Sequence, residues 1–519
     1  MPTLLVTGLI VIVMSLLVHR MRTSSNSPGF VCLERSEVTA TLAETLPDIV
    51  FFGPSPVFVE FIQSYWAMQE RDIVPQCIVR PRSVGELATA ITILKRDYDT
   101  RTCREDPPLL FAIRSGGHSP IPGSANMDNG IVIDLRLLNE VIPSEDGSSV
   151  TIGTGARWLD VYKTLDARDL AVAGGRNSDV GVGGLTLGGG LSFYSPRVGF
   201  VCNNILSYEV VLANGTITTA SESAEPRLWR ALKGGSNNFG VVTSFVARTF
   251  PSLNVSSGFL YMLGSKADQM MCAFHDYTNA DPGTYDEYSA GPLVCFSYVQ
   301  KISLQAIATY LVYTKPEAWP ACSNGFKSVG RLWSTVKTRS LTSAASELAS
   351  SSPPGLRQLF ITTTVKNDLA TLMEIHAFYK SGVKAMRQVK GMTWTLVLQP
   401  LLPVMANKGQ ADSMGLADRT EPLVIVLFTA VWEKKTDDEL VGRTTRATIS
   451  DIDAFATMKG TADPYRYLTD CASWQSPFDG YGAENKRFLQ QMSKLYDPEG
   501  MFQRACVGGF KLDMDVSNP

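Results

Sequence analysis

The sequence predicts an α+β protein of two or three domains that holds a ligand with anionic oxygens, and three observations carry that prediction. The chain has 519 residues, 45% of them hydrophobic and 19% charged, which supports more than one core. Helical and strand patterns alternate in the first half, then yield from residue 253 onward to β-branched and aromatic runs with helical stretches between them. Two segments are dense in glycine: Arg114-Ser115-Gly116-Gly117-His118-Ser119, and Val180-Gly181-Val182-Gly183-Gly184-Leu185-Thr186-Leu187-Gly188-Gly189-Gly190. Such loops let a backbone press against a ligand and aim N–H groups at a diphosphate. One of only four histidines lies inside the first.

The N-terminus comes first in the chain. Thr3 to Val18 is almost wholly apolar and is followed by His19-Arg20-Met21-Arg22. It is short for a span, which takes about 20 residues, and it lacks the leading basic residues of a signal peptide. Charges placed after the apolar core favour an anchor with the following domain in the cytosol. The sequons Asn214-Gly215-Thr216 and Asn254-Val255-Ser256 point instead to the secretory pathway, as does the placement of Cys32 and Cys103, two of nine cysteines, like a stapling disulfide. The expectation is association with a membrane of the endoplasmic reticulum or secretory pathway, with the side left open.

Residues 23–30 read as a polar linker, and structure is expected from near Cys32. Ser83-Val84-Gly85-Glu86 has the form of a capping box, opening a helix with Leu87, Ile91 and Leu94 on one face. Leu109 to Ile113, Ile131 to Leu135 and Val150 to Ile152 read as strands. Trp158, Leu159, Tyr162 and Leu165 have helical spacing, and Val210 to Ile217 reads as a hairpin through Asn214-Gly215. Gly234 to Val242 is a third glycine-rich approach that runs into a strand. Further on, Leu359 to Val365 and Thr393 to Leu398 suggest sheet, Asp368 to Tyr379 helix, and Ser343 to Pro354 a polar loop.

Several functions lose ground. A net charge of −3 with no basic run argues against nucleic acid. Gly181 to Thr186 and Gly153 to Trp158 lack the last glycine of a dinucleotide fingerprint, and the P-loop, nucleophile-elbow and zinc-protease patterns are absent. No metal site is expected.

The run Phe111-Ala112-Ile113-Arg114-Ser115-Gly116-Gly117-His118 resembles the flavin attachment loop of the berberine-bridge-enzyme-like oxidoreductases, in the vanillyl-alcohol oxidase superfamily. Val180 to Gly190 with Phe200-Val201-Cys202-Asn203-Asn204-Ile205 is similar to their second flavin loop. Tyr481-Gly482-Ala483-Glu484-Asn485 and Tyr496-Asp497-Pro498-Glu499-Gly500-Met501-Phe502 look like their C-terminal segment. The four matches keep the family order, and the combination most resembles its fungal branch, whose members often act in specialised metabolism.

The resemblance implies a PCMH-type FAD-binding domain of two subdomains over 71–252. It implies a substrate domain over 253–460, with an antiparallel sheet and covering helices, and a return of 461–519 to the FAD domain. It implies FAD bound covalently through His118. Arg114, Ser115, Gly116, Gly117 and Ser119 would line the diphosphate, although Arg114 has an ion pair as its alternative. Gly183, Gly184, Gly188, Gly189 and Gly190 would form the opposite wall, with about half of them serving only turns or packing. Val242 would contact the cofactor through its backbone or else be an ordinary buried strand residue. Tyr481, a catalytic candidate, and Asn485 would approach the flavin, with a core position and a bonded hydroxyl as the equal alternative for Tyr481. Relatives with a second covalent bond carry a cysteine where this chain has Asn177, so a single bond is implied. Valine at Val180 goes with oxidase behaviour and O2 as electron acceptor. Where many relatives have a tyrosine that helps deprotonate the substrate, this chain has Asp470. A carboxylate in an apolar pocket has a raised pKa and can serve as base.

The function expected is thus an FAD-dependent oxidoreductase, an oxidase of a small secondary metabolite. It would perform alcohol or amine oxidation, desaturation or oxidative cyclisation by hydride transfer to flavin N5. Two rivals remain at this point: a cyclase on the same fold with no net redox change, and a membrane-tethered binding protein without catalysis.

Overall fold

The computed structural model describes residues 35–280, 285–409, 411–417 and 419–512. The apolar N-terminal segment, the linker and Cys32 lie outside them, and Cys103 is an exposed free thiol. Among the described residues no helix is long and apolar enough to cross a membrane.

Three sheets organise the chain. In the first, β1 (Val50–Phe52), β2 (Cys77–Val79), β3 (Phe111–Arg114) and β4 (Ile131–Asp134) run in the order β1-β2-β4-β3. β4 is parallel to both β2 and β3, while β1 is antiparallel to β2. The helix Val84–Cys103 covers this sheet with Leu87, Ala90, Ile91 and Leu94. The capping box is realised with a one-residue shift: Ser83 Oγ accepts from the Glu86 N–H, but the Glu86 carboxylate reaches back to the N–H of Arg82.

The second sheet has β5 (Val141–Pro143), β6 (Ser149–Gly153), β7 (Leu170–Val172), β8 (Ile205–Val211), β9 (Ile217–Ser221) and β10 (Val241–Pro251), in the order β5-β6-β10-β8-β9 with β7 also on β10. Asn214-Gly215 makes the β8–β9 turn, with Gly215 at φ +81°. The helix Trp158–Asp166 buries Trp158, Val161, Tyr162 and Leu165 against it.

The third sheet is antiparallel throughout and nine-stranded: β11 (Val255–Leu263), β12 (Leu293–Val299), β13 (Leu304–Tyr313), β14 (Trp333–Ser334), β15 (Lys337–Arg339), β16 (Arg357–Lys366), β17 (Thr393–Leu401), β18 (Leu423–Trp432) and β19 (Ala462–Asp463). The strands alternate by two. Val294, Phe296, Trp394, Leu396 and Leu398 meet the helices Ala267–Thr278, Leu369–Met386 and Asp438–Lys459. Leu401, Leu423 and Ile425 instead join a core shared with the second sheet. Gln399 has the same parity in β17 as Leu401, and this turns it away from the helices.

Ser343 to Pro354, expected as a polar loop, is mostly the helix Leu341–Ser350. Ser340 Oγ caps it by accepting from the Ser343 N–H, and Leu341, Ala344, Ala345 and Ala349 give it a buried stripe. Its small polar residues merely face outward, so composition alone misreads it.

Candidate active site

A cavity of about 380 Å³ opens where all three sheets meet. It brings together Ser115, Gly116, Gly117, His118 and Ser119 of the first glycine segment with Val180, Gly183 and Gly184 of the second. Val242, from the third glycine-rich approach, and Asp470, from the C-terminal region, complete the expected residues on its wall.

The two glycine segments touch backbone to backbone. A Cβ on Gly116 would lie 2.5 Å from Gly181 Cα, so neither position tolerates a side chain. Ser115 Oγ donates to Thr154 O at 2.6 Å and accepts from Gly183 N at 3.2 Å, tying the loops together. Arg157 closes the clamp, donating from Nη2 to Gly116 O at 2.8 Å and from Nη1 to Asp179 O. Gly117 has φ +63°, and the N–H groups of Gly116, Gly117 and Ser119 meet no acceptor among the described residues. The second segment is only partly a loop. Val182–Leu187 is a short helix, with Gly184 open to the cavity and nothing within 4 Å of a Cβ placed there.

His118 stacks on Trp66 with ring centroids 4.3 Å apart and planes 12° from parallel. Trp66 is itself anchored, its Nε1 donating to Ser352 O at 3.0 Å and its backbone N–H to Gly117 O at 3.1 Å. Burial, and then the nearby Arg157 charge, push the His118 pKa down to about 3, so the imidazole is neutral. Its Nε2 is buried with no hydrogen-bond partner.

Asp470 ends the turn Leu468–Asp470, and its Oδ2 accepts from Gln399 Nε2 at 3.0 Å. Burial raises its pKa to about 6, with Arg176 and the Gln399 bond pulling the other way. Glu70 holds the neighbouring wall: its carboxylate accepts from Gly123 N, Ser124 Oγ and Ala125 N at 3.0–3.1 Å, and burial lifts its pKa to about 7.

Other expected residues lie elsewhere. Arg114 is 1% exposed, behind the loop rather than on the cavity wall. Among the described residues it forms no ion pair. Its guanidinium lies 4.0 Å from the Tyr65 ring centroid and donates to Phe61 O and Ser64 Oγ, because the strand end points it into the aromatic core. Gly188, Gly189 and Gly190 are packing glycines off the wall; a Cβ on Gly189 would strike Met414 Sδ at 2.4 Å. Tyr481 is buried in the core and donates to Gly234 O at 3.1 Å, and Asn485 joins Arg230 to Tyr481 O, so neither reaches the cavity. Val242 lines the cavity, and its carbonyl accepts from Thr154 Oγ1. Asn177 is on the wall, and no described cysteine is.

Sequence reading missed Arg157, Trp66, Glu70, Arg176 and Gln399. Arg157 had a signal, since it lies within the glycine-containing Gly153 to Trp158 segment. The others act through contacts remote in sequence.

The residues present fit FAD. The N–H groups of Gly116, Gly117 and Ser119, on the cavity wall, meet no acceptor among the described residues, and a neutral histidine with an unpartnered nitrogen lies on the same wall. Residues 75–221 match the FAD binding domain family. Over 499 residues the chain is 32% identical to the FAD-dependent monooxygenase drtC of Aspergillus calidoustus, covering 94% of this chain and 93% of that protein. The chain belongs to the FAD-linked oxidoreductases. FAD-dependent monooxygenase tpcD of Cochliobolus heterostrophus is 34% identical over 469 residues, 86% of this chain and 87% of its own. In fold, this FAD-linked oxidoreductase is similar to the glucooligosaccharide oxidase of Acremonium strictum, with a TM-score of 0.70 at 16% identity, covering 92% of this chain and 100% of the other. That structure is described with a 6-S-cysteinyl, 8α-N1-histidyl FAD. The architecture is the PCMH-type α+β fold expected, and the family favours redox chemistry over the cyclase and binding-protein rivals.

Proposed function

We propose that this FAD-linked oxidoreductase is an oxidase of a small secondary metabolite, with FAD bound through a single covalent bond to His118 and O2 as electron acceptor. The observation that carries this reading is one cavity walled by both glycine segments, His118 and Asp470. Bound FAD would supply the two-electron oxidising power of its ring system. Gly116, Gly117 and Ser119 offer N–H donors to its diphosphate. His118, neutral and held flat by Trp66, offers a nucleophilic nitrogen. Asn177, in place of a cysteine, supports a single attachment. Asp470 takes the proton of a substrate hydroxyl or amine, its raised pKa matching it to that task near neutrality. Val180 on the wall supports access of O2.

The test is an absorbance spectrum before and after acid precipitation. Yellow colour is expected to stay with the pellet and to leave it in His118→Ala. Colour released from wild type removes the covalent role, and a colourless protein after reconstitution with FAD removes the reading. The relatives' names support monooxygenation as a second reading; peroxide formed in proportion to O2 consumed favours the oxidase, and labelled oxygen found in the product favours the other. The N-terminal apolar segment supports attachment to a membrane of the secretory pathway, which carbonate extraction of cell membranes tests.

A further inference from the structure

Three polar side chains from distant parts of the chain form a row at the cavity. Arg176 follows β7, Gln399 lies in β17 and Asp470 ends its turn. Arg176 donates from Nη2 to Gln399 Oε1 at 2.6 Å, and Gln399 donates from Nε2 to Asp470 Oδ2 at 3.0 Å. Arg176 and Asp470 both line the cavity, while Gln399 is 2% exposed. The bond to Gln399 is the one hydrogen bond of Arg176 among the described residues, and no carboxylate there lies within 4.0 Å of it.

The amide acts as a spacer. A direct arginine–aspartate pair would be bidentate and would consume the donors of one and the acceptors of the other. With Gln399 between them, each end keeps capacity to spare. Arg176 has four N–H donors left of the five in a guanidinium. Asp470 keeps Oδ1, which accepts from no described residue. The Asp470 carboxylate acts on the guanidinium only across the amide, and the spare donors of Arg176 would be satisfied by an incoming oxyanion.

We propose that Arg176, held by Gln399, is a recognition subsite for a conjugated oxyanion of the substrate: an enolate, phenolate or carboxylate. The substrate is therefore a weak organic acid. Arg176 binds its charged oxygen, and Asp470 accepts the proton of the neighbouring reacting group: the substrate X–H bond breaks, the Oδ1–H bond forms, and no electrons change hands in that step. This inference rests on the cavity being the substrate site of the preceding section.

The test is calorimetric titration of the purified full chain with benzoate and with its neutral isostere benzamide, alongside the flavin-to-protein absorbance ratio. Benzoate is expected to bind about 10- to 100-fold more tightly than benzamide. Arg176→Met should level the two. Gln399→Glu should do the same while leaving Arg176 in place, because the new carboxylate occupies the guanidinium. Melting temperature and flavin ratio identify a variant that has misfolded. Absence of a benzoate preference in wild type, including binding of neither probe, overturns the inference, as does a preference that survives both substitutions. A chain that shows the preference but holds no flavin overturns the oxidase reading instead.

Discussion

Gly116→Ala is the sharpest probe of how the two glycine segments make one site. A Cβ at Gly116 would lie 2.5 Å from Gly181 Cα and 2.6 Å from Gly181 N, and the reciprocal Cβ at Gly181 would lie 2.4 Å from Gly116 N. Carbon atoms rest about 3.5–4.0 Å apart, so the loops must separate by about 1 Å. The Arg157 clamp on Gly116 O and Asp179 O resists that movement. Overpacking of this kind costs about 1–3 kcal/mol, equivalent to roughly a 5- to 150-fold loss of FAD affinity if the closed arrangement is the one that binds. The assay is titration of apoprotein with FAD, followed by quenching of flavin fluorescence, together with thermal melting. The double variant Gly116→Ala/Gly181→Ala should cost less than the sum of its parts, because both methyl groups force the same gap. Gly184→Ala is the control: nothing lies within 4 Å of its Cβ, and alanine in a helix gains about 0.5–1 kcal/mol over glycine. It should leave the fold intact and yet impede FAD, since the methyl group enters the cavity. Wild-type melting and FAD affinity within about twofold of wild type in Gly116→Ala would refute the argument.

Asp470 must be ionised to accept a proton, and its pKa is about 6, so kcat/KM should rise with pH through 6 and level off above it. Asp470→Asn should abolish that rise and lower kcat by about 10²- to 10⁴-fold; a wild-type profile flat from pH 5 to 8 would count against the role. Glu70 has its pKa raised from 4.5 to about 7 by burial. The folded state then holds the proton more tightly than the unfolded state, so this stabilisation is complete below 4.5 and lost as pH rises through 7. In urea titrations Glu70→Gln should show a smaller fall in stability than wild type across that window, and an unchanged fall would show that Glu70 does not titrate there.

Local signals were legible in the chain. Asn214-Gly215 marked a hairpin turn because the last position of a three-residue loop takes positive φ and favours glycine, and Ser83 capped a helix because its hydroxyl reaches an N–H within one turn. The glycine segments and His118 stood out by composition, and Asp470 by the tyrosine it replaces. Helix Leu341–Ser350 was missed, since serine-rich composition masks a narrow alanine and leucine stripe. Arg114, Tyr481 and Asn485 were expected at the ligand and are bonded away from it.

The sequence by itself determined the family, the α+β class and the glycine segments, because those depend on residue type and short-range geometry. Only the tertiary structure decided which of those residues face the cavity and what orients them. Trp66 meets His118, and Gln399 meets both Arg176 and Asp470, across separations far larger than any local pattern spans. The two-residue period of β17 selects the face on which Gln399 lies, and the docking of that face against the second sheet places it between a cation and a carboxylate.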